Sequence, residues 1–469
     1  MRYLAIGLAL FLLAGCAALA PTDPFAPLPP RPAARLAEAS ATPATPAATE
    51  AAPGPLTLAG CIELALAHNP ELAATEWDVN AARAQRDVAA AARLPGLRAT
   101  GAYAHHLDDQ RLVPARENGE PGVFGDDLWA ADLVLTLPLF TGGRLLNEVR
   151  AADLLAGASR QRLARTRQEL VFNVTSLFYG ILAQERVVES LVFSRRALEQ
   201  HRGRVTNLVE AQKAARVDLL RTEVRLADLE QRLVRERNVL AVQSRRLQNL
   251  LGIEGPAEPR GLAGDLEAAP AEEPTLATAL AAAKRQRPDY RAARTALEAQ
   301  ARRVDAARGA HWPVLSLRGA YGGRWATGPS QEPAGTDAAE DVGSVALLLD
   351  APLFEGGRLT AREREERARL EAARERLRRL DLQLALDVET ALLNVASSRQ
   401  RIEATRLAVT QAQEGFRIEQ EKYAYGKGTI TDVFDAQSAL LDAETTLYRA
   451  LAEHQTAQAQ LRVAVGGEL

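Results

Sequence analysis

The sequence contains few aromatic residues, few cysteines and almost no net charge. Phe, Trp and Tyr make up 5% of its 469 residues, whereas Ala, Leu, Arg, Glu and Gln dominate, a balance that favours long helices over a large mixed core. The two cysteines are Cys16 and Cys61. The formal net charge of −3 is too close to neutral to indicate nucleic acid as a partner.

The amino terminus lacks an apolar run long enough to span a bilayer. Residues 4–13 form a run of about ten, which is too short for a transmembrane helix but suits a signal peptide over residues 1–15. The Leu13-Ala14-Gly15-Cys16 tetrapeptide resembles the lipobox of bacterial lipoproteins, and the resemblance implies that Cys16 carries lipid as the first mature residue. The alternative is an ordinary signal peptide with a chance cysteine at this position.

The residues after Cys16 indicate which membrane would hold the lipid anchor and how the anchor is linked to the folded part of the chain. Ala17 stands in place of the Asp that often retains lipoproteins at the inner membrane, so the resemblance favours the outer membrane. With Cys16 acylated, Cys61 has no partner, and no disulfide framework is expected. Residues 16–56 are expected to form a lipid-anchored tether, because they hold 10 of the 24 prolines between positions 21 and 55 and such a stretch cannot bury a core.

The mature chain is an internal duplication. Two offsets align its halves, 218 at first and 214 after a loop that is four residues shorter in the second copy. The aligned pairs include Pro95 with Pro313, Tyr103 with Tyr321, Pro138 with Pro352, and Asp218 with Asp432. We therefore expect a first repeat over 57–252, an equatorial linker over 253–274 and a second repeat over 275–469. Cys61 aligns with Ala279, which predicts a small, buried helix position.

Each copy is expected to hold one helix, two strands and two very long helices. The first helix begins at Pro70 or Pro288, since proline suits the first helical turn, and runs to the next proline. Apolar and polar residues then alternate with period two, and Trp or Tyr lies near an end, which is typical of outer-membrane strands. The predicted strands are Leu97–His105, Trp129–Leu137, Val314–Gly322 and Gly343–Ala351.

Proline is absent inside two long stretches, from Pro138 to Pro256 and from Pro352 to the end. Apolar residues there recur at alternating three- and four-residue steps, which predicts coiled-coil helices. About 60 residues of helix would reach roughly 90 Å, far beyond the thickness of a bilayer. The helices must therefore project away from the membrane.

Four membrane strands leave two open edges, whose unpaired backbone groups are costly in hydrocarbon, so several copies of the chain are expected to pool their strands. Three chains would give twelve strands around an aqueous lumen. Prolines and glycine pairs mark the expected corners between strand and helix, namely Pro138, Gly142, Gly143, Pro352, Gly356 and Gly357. The glycine pairs lack the Lys-Ser/Thr that a phosphate loop requires.

Two motifs carry a family resemblance. One is the Pro-Leu-Phe-x-Gly-Gly-Arg corner at residues 138–144 and 352–358, and the other is the segment from Tyr423 to Gln437. Over residues 57–469 the chain resembles the TolC-like outer-membrane factors, in their lipoprotein branch. The resemblance implies an α+β membrane protein, a homotrimer with a twelve-stranded β-barrel and a coiled-coil periplasmic tunnel. It also implies a passive efflux duct, neither an enzyme nor a cofactor protein, whose partners are a periplasmic adaptor and an inner-membrane pump.

The hairpin that begins at Tyr423 is the candidate site. Gly426 and Gly428 break the helix, and Asp432 and Asp435 share a face of the next helix. The resemblance implies that the two aspartates line the periplasmic mouth of the tunnel. It also implies that Tyr423, together with Asp218 of the first copy, belongs to the network that holds the mouth shut.

The chain departs from the family pattern at two positions. Some members have a gating Arg where this chain has Gly428, and the first hairpin has Gln212 where Gly is frequent. Lys427 or Arg216 is a candidate for the missing cation. The alternative for Asp432 is an ordinary residue at a helix amino terminus, favoured by the helix dipole.

Two other functions stay open. A type I protein secretion channel would share the fold, and a structural coiled-coil lipoprotein without a pore would share the helices. No catalytic constellation is visible among the scattered histidines and helical charge patterns. His105 and His106 lie where a strand meets its loop, so solvated side chains are expected there rather than metal ligands.

Overall fold

The computed structural model describes residues 55–113, 119, 121–212, 215–253, 261–267, 274–334 and 337–467. Cys16, the expected signal peptide and the greater part of the expected tether lie outside the described residues. Within the described ranges, no helix is long and apolar enough to cross a membrane.

The elements occur in the same order twice. The first half contains α1 (Leu58–His68), α2 (Pro70–Ala91), β1 (Gly96–Arg111), β2 (Phe124–Phe140), α3 (Arg144–Glu210) and α4 (Arg216–Leu250). The second half contains α5 (Leu276–Gln286), α6 (Pro288–Gly309), β3 (Val314–Thr327), β4 (Ala339–Asp350), α7 (Arg358–Ala424) and α8 (Ile430–Val465).

The sequence analysis predicted a helix position for Cys61, but not the bounds of the short helices α1 and α5 or their separation from α2 and α6. Each is separated from the next helix by one residue, Asn69 or Arg287, whose extended backbone interrupts the helical path. Asn69 caps α2, because its side-chain oxygen accepts a hydrogen bond from the N–H of Leu72 at 3.0 Å. Pro70 occupies the first turn of α2, as predicted. Both α2 and α6 end a few residues before the prolines at which their ends were expected.

The helices α3 and α7 are each 67 residues long, or roughly 100 Å, which confirms the prediction of very long helices. Their buried positions recur at coiled-coil spacing, for example Leu384, Val388 and Val395 in α7. Among the described residues, the apolar clusters are distributed along the helices and are not gathered in one central core. Cys61 is fully buried in one of them, and burial raises the pKa of its thiol to about 11. The predicted small, buried helix position is confirmed.

The helices form a layer with two free edges. Far from the strands, α3 contacts α4 and α8, and α8 contacts α7, which gives the order α4, α3, α8, α7. Near the strands, α2 contacts α3, α3 contacts α6, and α6 contacts α7. Within the part of the chain that is described, α2 and α4 therefore lie at one edge of the layer and α7 at the other.

The strands form one antiparallel sheet in the order β1-β2-β3-β4. The two hairpins share a register, because Leu97 lies opposite Leu135 and Leu315 lies opposite Leu349, at the two offsets of the sequence repeat. At their loop ends the strands extend beyond the predicted bounds, β1 as far as Arg111 and β3 as far as Thr327. Ladder hydrogen bonds join backbone groups, so pairing continues where the apolar alternation stops.

The two faces of the sheet differ in polarity. The apolar face is exposed and is formed by odd-numbered residues, which include Leu97, Leu133, Leu135, Leu347 and Leu349. The other face lines a polar cavity and is formed mainly by even-numbered residues, which include Thr100, Asp132, Thr136, Arg318 and Ser344. The predicted period-two registers are therefore confirmed.

One predicted corner is wrong. Pro138 lies inside β2, opposite Ser316 and beside a register shift, and β2 continues to Phe140. Proline has no backbone N–H to donate to a neighbouring strand. It is tolerated at this position because the register shift leaves one residue of β2 outside the ladder of hydrogen bonds. Pro352 lies beyond the end of β4 at Asp350, so the two corners are not equivalent at this position.

The glycine pairs make the turns into the long helices. Gly142 and Gly143 have φ of 60° and 79°, and Gly356 and Gly357 have φ of 60° and 83°, left-handed values that glycine adopts without steric strain. A Cβ atom on Gly142 would lie 2.3 Å from the carbonyl oxygen of Gly309. Close packing therefore adds to the need for glycine in the first copy.

Candidate functional site

The second helical hairpin is built from two helix caps that meet at its tip. At the end of α7, the N–H of Gly426 donates to the carbonyl oxygen of Tyr423 at 3.0 Å and that of Lys427 to Lys422 at 2.8 Å, with Gly426 at φ 68°. This pair of bonds is a Schellman cap. Gly428 follows before the next helix begins, so the predicted helix break is confirmed.

Asp432 takes part in the cap of α8. The N–H of Thr429 donates to the Asp432 carboxylate at 2.9 Å, and the N–H of Asp432 donates to the Thr429 hydroxyl at 3.3 Å, which together form a capping box. The hydrogen bonds from Thr429 lower the pKa of the Asp432 carboxyl, and the charge of Lys422 lowers it further. Asp432 therefore has the helix-start role that the sequence offered as the alternative. Asp435 lies one turn later, and both side chains are exposed.

The first hairpin has no glycine at its tip. Gln212 follows the end of α3 with φ 57°, the left-handed conformation that Gly426 adopts in the second hairpin. Asp218 lies in the first turn of α4, where its charge is favourable to the helix dipole. One of its carboxylate oxygens lies 3.9 Å from the guanidinium of Arg221.

The two hairpins pack together through aromatic rings. His201 of α3 lies between Tyr423 and Phe434, with ring centroids 5.9 Å from each. The pKa of Tyr423 is raised by burial and by the negative charge of Asp218, and the positive charge of Arg204 opposes this rise. The structure thus places Tyr423 within electrostatic reach of Asp218, while Asp432 and Asp435 remain on the exposed side of α8.

His201 and two cations were missed from the sequence. Burial lowers the pKa of His201, and its Nε2 atom is buried without a hydrogen-bond partner among the described residues. Lys422 and Arg204 are the cations that act on Asp432 and Tyr423. Their contacts cross between hairpins or depend on the cap geometry, so no local pattern in the sequence marked them.

At the opposite end of the molecule, His105 is exposed, as expected. Its Nδ1 atom lies 2.8 Å from Oδ1 of Asp127, and the hydroxyl of Tyr103 donates to the same oxygen at 2.6 Å. The sequence did not predict this contact between β1 and the start of β2.

Comparison with known proteins gives a family. A family model described as outer membrane efflux protein matches residues 61–253 and 279–467. The outer membrane protein TolC of Salmonella enteritidis is 26% identical over 170 residues, which cover 35% of this chain and 34% of that protein. TolC of Escherichia coli (strain K12) is 25% identical over 170 residues, with the same coverage. The chain thus aligns with about a third of the length of these relatives.

Solved structures match over a larger part of the chain. The outer-membrane channel OprN has a TM-score of 0.73 at 22% identity, covering 88% of this chain and 90% of its own. The CmeC outer membrane channel of Campylobacter jejuni has a TM-score of 0.75 at 15% identity, covering 87% and 85%. At these identities the likeness shows a shared fold, and the matched structures are those of outer-membrane channels. With both repeats matched by the family model, the chain belongs to the outer membrane efflux protein family and is an outer-membrane protein.

Proposed function

We propose that the chain forms, as a homotrimer, the exit duct of a tripartite efflux pump. Three copies would pool their strands in a twelve-stranded β-barrel and their long helices in a periplasmic tunnel. Small-molecule or metal substrates, delivered by an inner-membrane pump and a periplasmic adaptor, would pass through it to the exterior. The observation that carries this proposal is the pair of open edges in both the sheet and the helical layer.

The sheet edges are the first support. β1 and β4 lie at opposite ends of the sheet, and neither has a second strand partner among the described residues. Each unpaired backbone group in hydrocarbon costs several kcal/mol. Because the two edges differ, pairing β4 of one copy with β1 of the next is a head-to-tail contact, and a rotation of one third of a turn between copies would close it into a ring of three.

The helical edges are the second support. Large apolar side chains are exposed along both edge helices, and such continuous exposed apolar surface marks an interaction site. On α4 they are Val217, Leu220, Val224, Val234 and Val242, and on α7 they are Leu382, Leu386, Leu393 and Leu407. Those on α7 are separated by four residues or by multiples of seven, the spacing of a coiled-coil seam. We infer that α7 of one copy packs against α4 of the next.

The apolar face of the sheet also has the height of a membrane. Tyr103, Trp129 and Trp325 lie side by side across three strands, which resembles the aromatic girdle of an outer-membrane barrel. Phe140, at the other end of β2, lies eleven positions after Trp129. At about 3.3 Å per residue and a tilt of about 40°, this length spans roughly 28 Å, close to the hydrocarbon thickness of about 30 Å.

The internal repeat predicts which residues meet between copies. Within the chain, Asp132 of β2 lies opposite Gly322 of β3. The offset of 214 relates Asp132 to Ala346 of β4, and the offset of 218 relates Gly322 to Ala104 of β1. By the repeat, Ala346 of one copy is therefore expected to lie opposite Ala104 of the neighbouring copy. We therefore expect a chain with Ala346→Cys and Ala104→Cys to form covalent trimers on oxidation, whereas the pair Ala346→Cys and Ala102→Cys, shifted by two residues on the same face, should not.

Conductance tests the pore itself. The purified wild-type protein should insert into planar bilayers and give discrete channel openings. Cross-linking in the shifted pair but not in the expected pair would overturn the expected register, and the absence of covalent trimers with either pair would refute the ring. Trimers without any conductance would favour a structural lipoprotein over a duct.

We propose that Cys16 carries lipid and anchors the tether to the outer membrane, with residues 57–252 and 275–469 as the two repeats. The Leu13-Ala14-Gly15-Cys16 tetrapeptide supports this. Mass spectrometry of the mature amino terminus should find an acylated Cys16, and Cys16→Ser should abolish the modification. An unmodified terminus that begins elsewhere would contradict the anchor.

We also propose that the hairpin tips form the periplasmic gate. In a trimer, Asp432 and Asp435 would form two acidic rings around the mouth, and Tyr423 and Asp218 would help to hold it closed. The exposure of both aspartates on α8 supports the rings. The electrostatic coupling of Tyr423 to Asp218 supports the contact between hairpins.

A further inference from the structure

A cluster of possible metal ligands lies at the loop end of the sheet. His105 comes from β1, and Asp126 and Asp127 come from β2. One nitrogen or oxygen atom from each of the three side chains lies within 4.8 Å of those of the other two. More than twenty residues separate His105 from the aspartates in the chain, so the hairpin brings them together.

The backbone explains how two successive aspartates reach one histidine. On a regular strand, neighbouring side chains point to opposite faces, and only one of the pair would face His105. The register between β1 and β2 shifts between His105 and Gln110. Such a bulge adds local twist and redirects side chains, and bulges are frequent beside functional sites.

The chemistry of the three groups suits a first-row divalent cation. Zn²⁺ takes imidazole nitrogen and carboxylate oxygen at about 2.0–2.2 Å, so two ligands of one tetrahedral ion lie about 3.4 Å apart. The Nδ1 atom of His105 and Oδ1 of Asp127 are 2.8 Å apart, which requires an opening of about 0.6 Å. Both side chains are partly exposed, so this shift meets little resistance.

A supporting contact orients one of the ligands. The Tyr103 hydroxyl donates to Asp127 at 2.6 Å, and the Tyr103 ring packs on Trp129 with centroids 4.7 Å apart. Partners that hold a ligand in place in this way are typical of metal sites. They also place a fluorescent indole near the cluster.

We propose that His105, Asp126 and Asp127 form a binding site for a Zn²⁺-type divalent cation at the outer rim of the sheet. Two carboxylates and one imidazole leave coordination positions for water, so the site is exchangeable. Bound metal would tie the ends of β1 and β2 together. Neither the family nor the proposed duct function requires this site, and the two proposals stand or fall separately.

The test is a Zn²⁺ titration, measured by calorimetry, of the untagged and chelator-treated protein in detergent. We expect one ion per chain, and at least tenfold weaker binding for His105→Ala and for Asp127→Asn, the loss typical of altered metal sites. His106→Ala is the matched control, because His106 is the adjacent histidine but lies outside the cluster. Its affinity should stay within about twofold of the wild-type value.

A fluorescence measurement locates the bound ion. Co²⁺ should quench the tryptophan fluorescence of the wild type. Because Trp325 lies directly opposite Trp129, the double change Trp129→Phe and Trp325→Phe should remove most of that quenching. The proposal is overturned if the wild type binds no Zn²⁺ at micromolar concentration. It is also overturned if His105→Ala and His106→Ala lose affinity equally, or if the full quenching survives in the double Trp129→Phe, Trp325→Phe variant.

Discussion

Gln212 and Gly426 adopt the same left-handed backbone conformation, with φ of 57° and 68°, at the tips of the two helical hairpins. They are related by the 214-residue offset of the repeat. A left-handed conformation costs a residue with a side chain about 1 kcal/mol or more, whereas glycine adopts it readily. The first hairpin tip is therefore the more strained of the two.

Exchanging the two residues should change the stability of the tips in opposite directions. We expect Gln212→Gly to stabilise the first hairpin by about 1 kcal/mol and Gly426→Gln to destabilise the second by a similar amount. Hydrogen exchange of the amides next to each tip would measure both free energies. Unchanged protection in Gly426→Gln would show that the positive φ is not costly there.

A second prediction concerns the buried Arg287, which takes the place that Asn69 has in the first copy. Its guanidinium lies 2.7 Å from Asp387 and 2.9 Å from Asp289, and its side chain is 4% exposed. Removing one partner leaves an incompletely paired buried charge, so Asp387→Asn should cost about 2–3 kcal/mol. The control is Lys284→Gln, since the exposed pair of Lys284 with Asp381 is worth at most about 1 kcal/mol.

Thermal denaturation in detergent should therefore rank the three proteins, with wild type and Lys284→Gln close together and Asp387→Asn well below. An equal fall in the denaturation temperature of both variants would mean that burial does not strengthen the Arg287 ion pairs. Melting followed by circular dichroism suffices, because only the order of the transitions is needed.

Much of the fold could be predicted because its signals are local. The alternation around Leu135 and Leu349 depends only on neighbouring residues, and the structure has both on the expected face. The bounds of α1 were not predicted, because a single capping residue, Asn69, separates it from α2. Pro138 was misplaced because only the pairing with β3 shows that β2 continues past it.

The candidate site was predictable to a smaller extent. The hairpin at Gly426 follows from glycine spacing, and the structure confirms it. His201 was invisible because its neighbour Phe434 is more than two hundred residues away in the chain. Such a contact depends on how α3 and α8 pack, and neither helix carries a local pattern that specifies the pairing.

The two sheet faces make a third prediction. Leu135→Asp and Leu349→Asp place a charge on the face that we expect to contact lipid, at a cost of up to about 2 kcal/mol near the midplane. Thr136→Asp places the same charge in the polar cavity, which we expect to face the aqueous lumen. The yield of trimers in the outer-membrane fraction should fall for the two leucine variants only. A larger fall for Thr136→Asp would reverse the assignment of the faces.

A fourth prediction concerns pH. Burial lowers the pKa of His201 below its ordinary value of 6.5, and the charge of Arg204 lowers it further. When the hairpins separate, His201 takes up a proton more readily. The packing of His201 therefore stabilises the contact between the hairpins fully above pH 6.5, and this stabilisation weakens as the pH falls below 6.5. Hydrogen exchange of residues 423–435 should be faster at pH 5.5 than at pH 7.5, after correction for intrinsic rates.

The control for this pH effect is His201→Phe, which keeps a ring between Tyr423 and Phe434 but cannot be protonated. We expect its corrected exchange rates to be nearly independent of pH in this range. Equal pH dependence in the variant and the wild type would assign the effect to a group other than His201.

The last prediction concerns Asp432 and Asp435, which under threefold symmetry would place six carboxylates around the periplasmic mouth. Rings of one charge concentrate counter-ions, so a trivalent cation such as La³⁺, added on the periplasmic side, should block the wild-type channel. Changing both aspartates to Ala should abolish the block while trimers still form. The complication is the capping box, because Asp432→Ala also removes the carboxylate that accepts a hydrogen bond from the N–H of Thr429. Two further variants therefore separate charge from capping. Asp432→Asn with Asp435→Asn keeps a hydrogen-bond acceptor for the N–H of Thr429 but removes the charge, and it should also lose the block. Thr429→Ala removes the hydroxyl that caps α8 but keeps both charges, and its channel should still be blocked. Single-channel recordings in which La³⁺ blocks the double Asn variant as strongly as the wild type would leave Asp432 as a helix-capping residue with no part in the mouth.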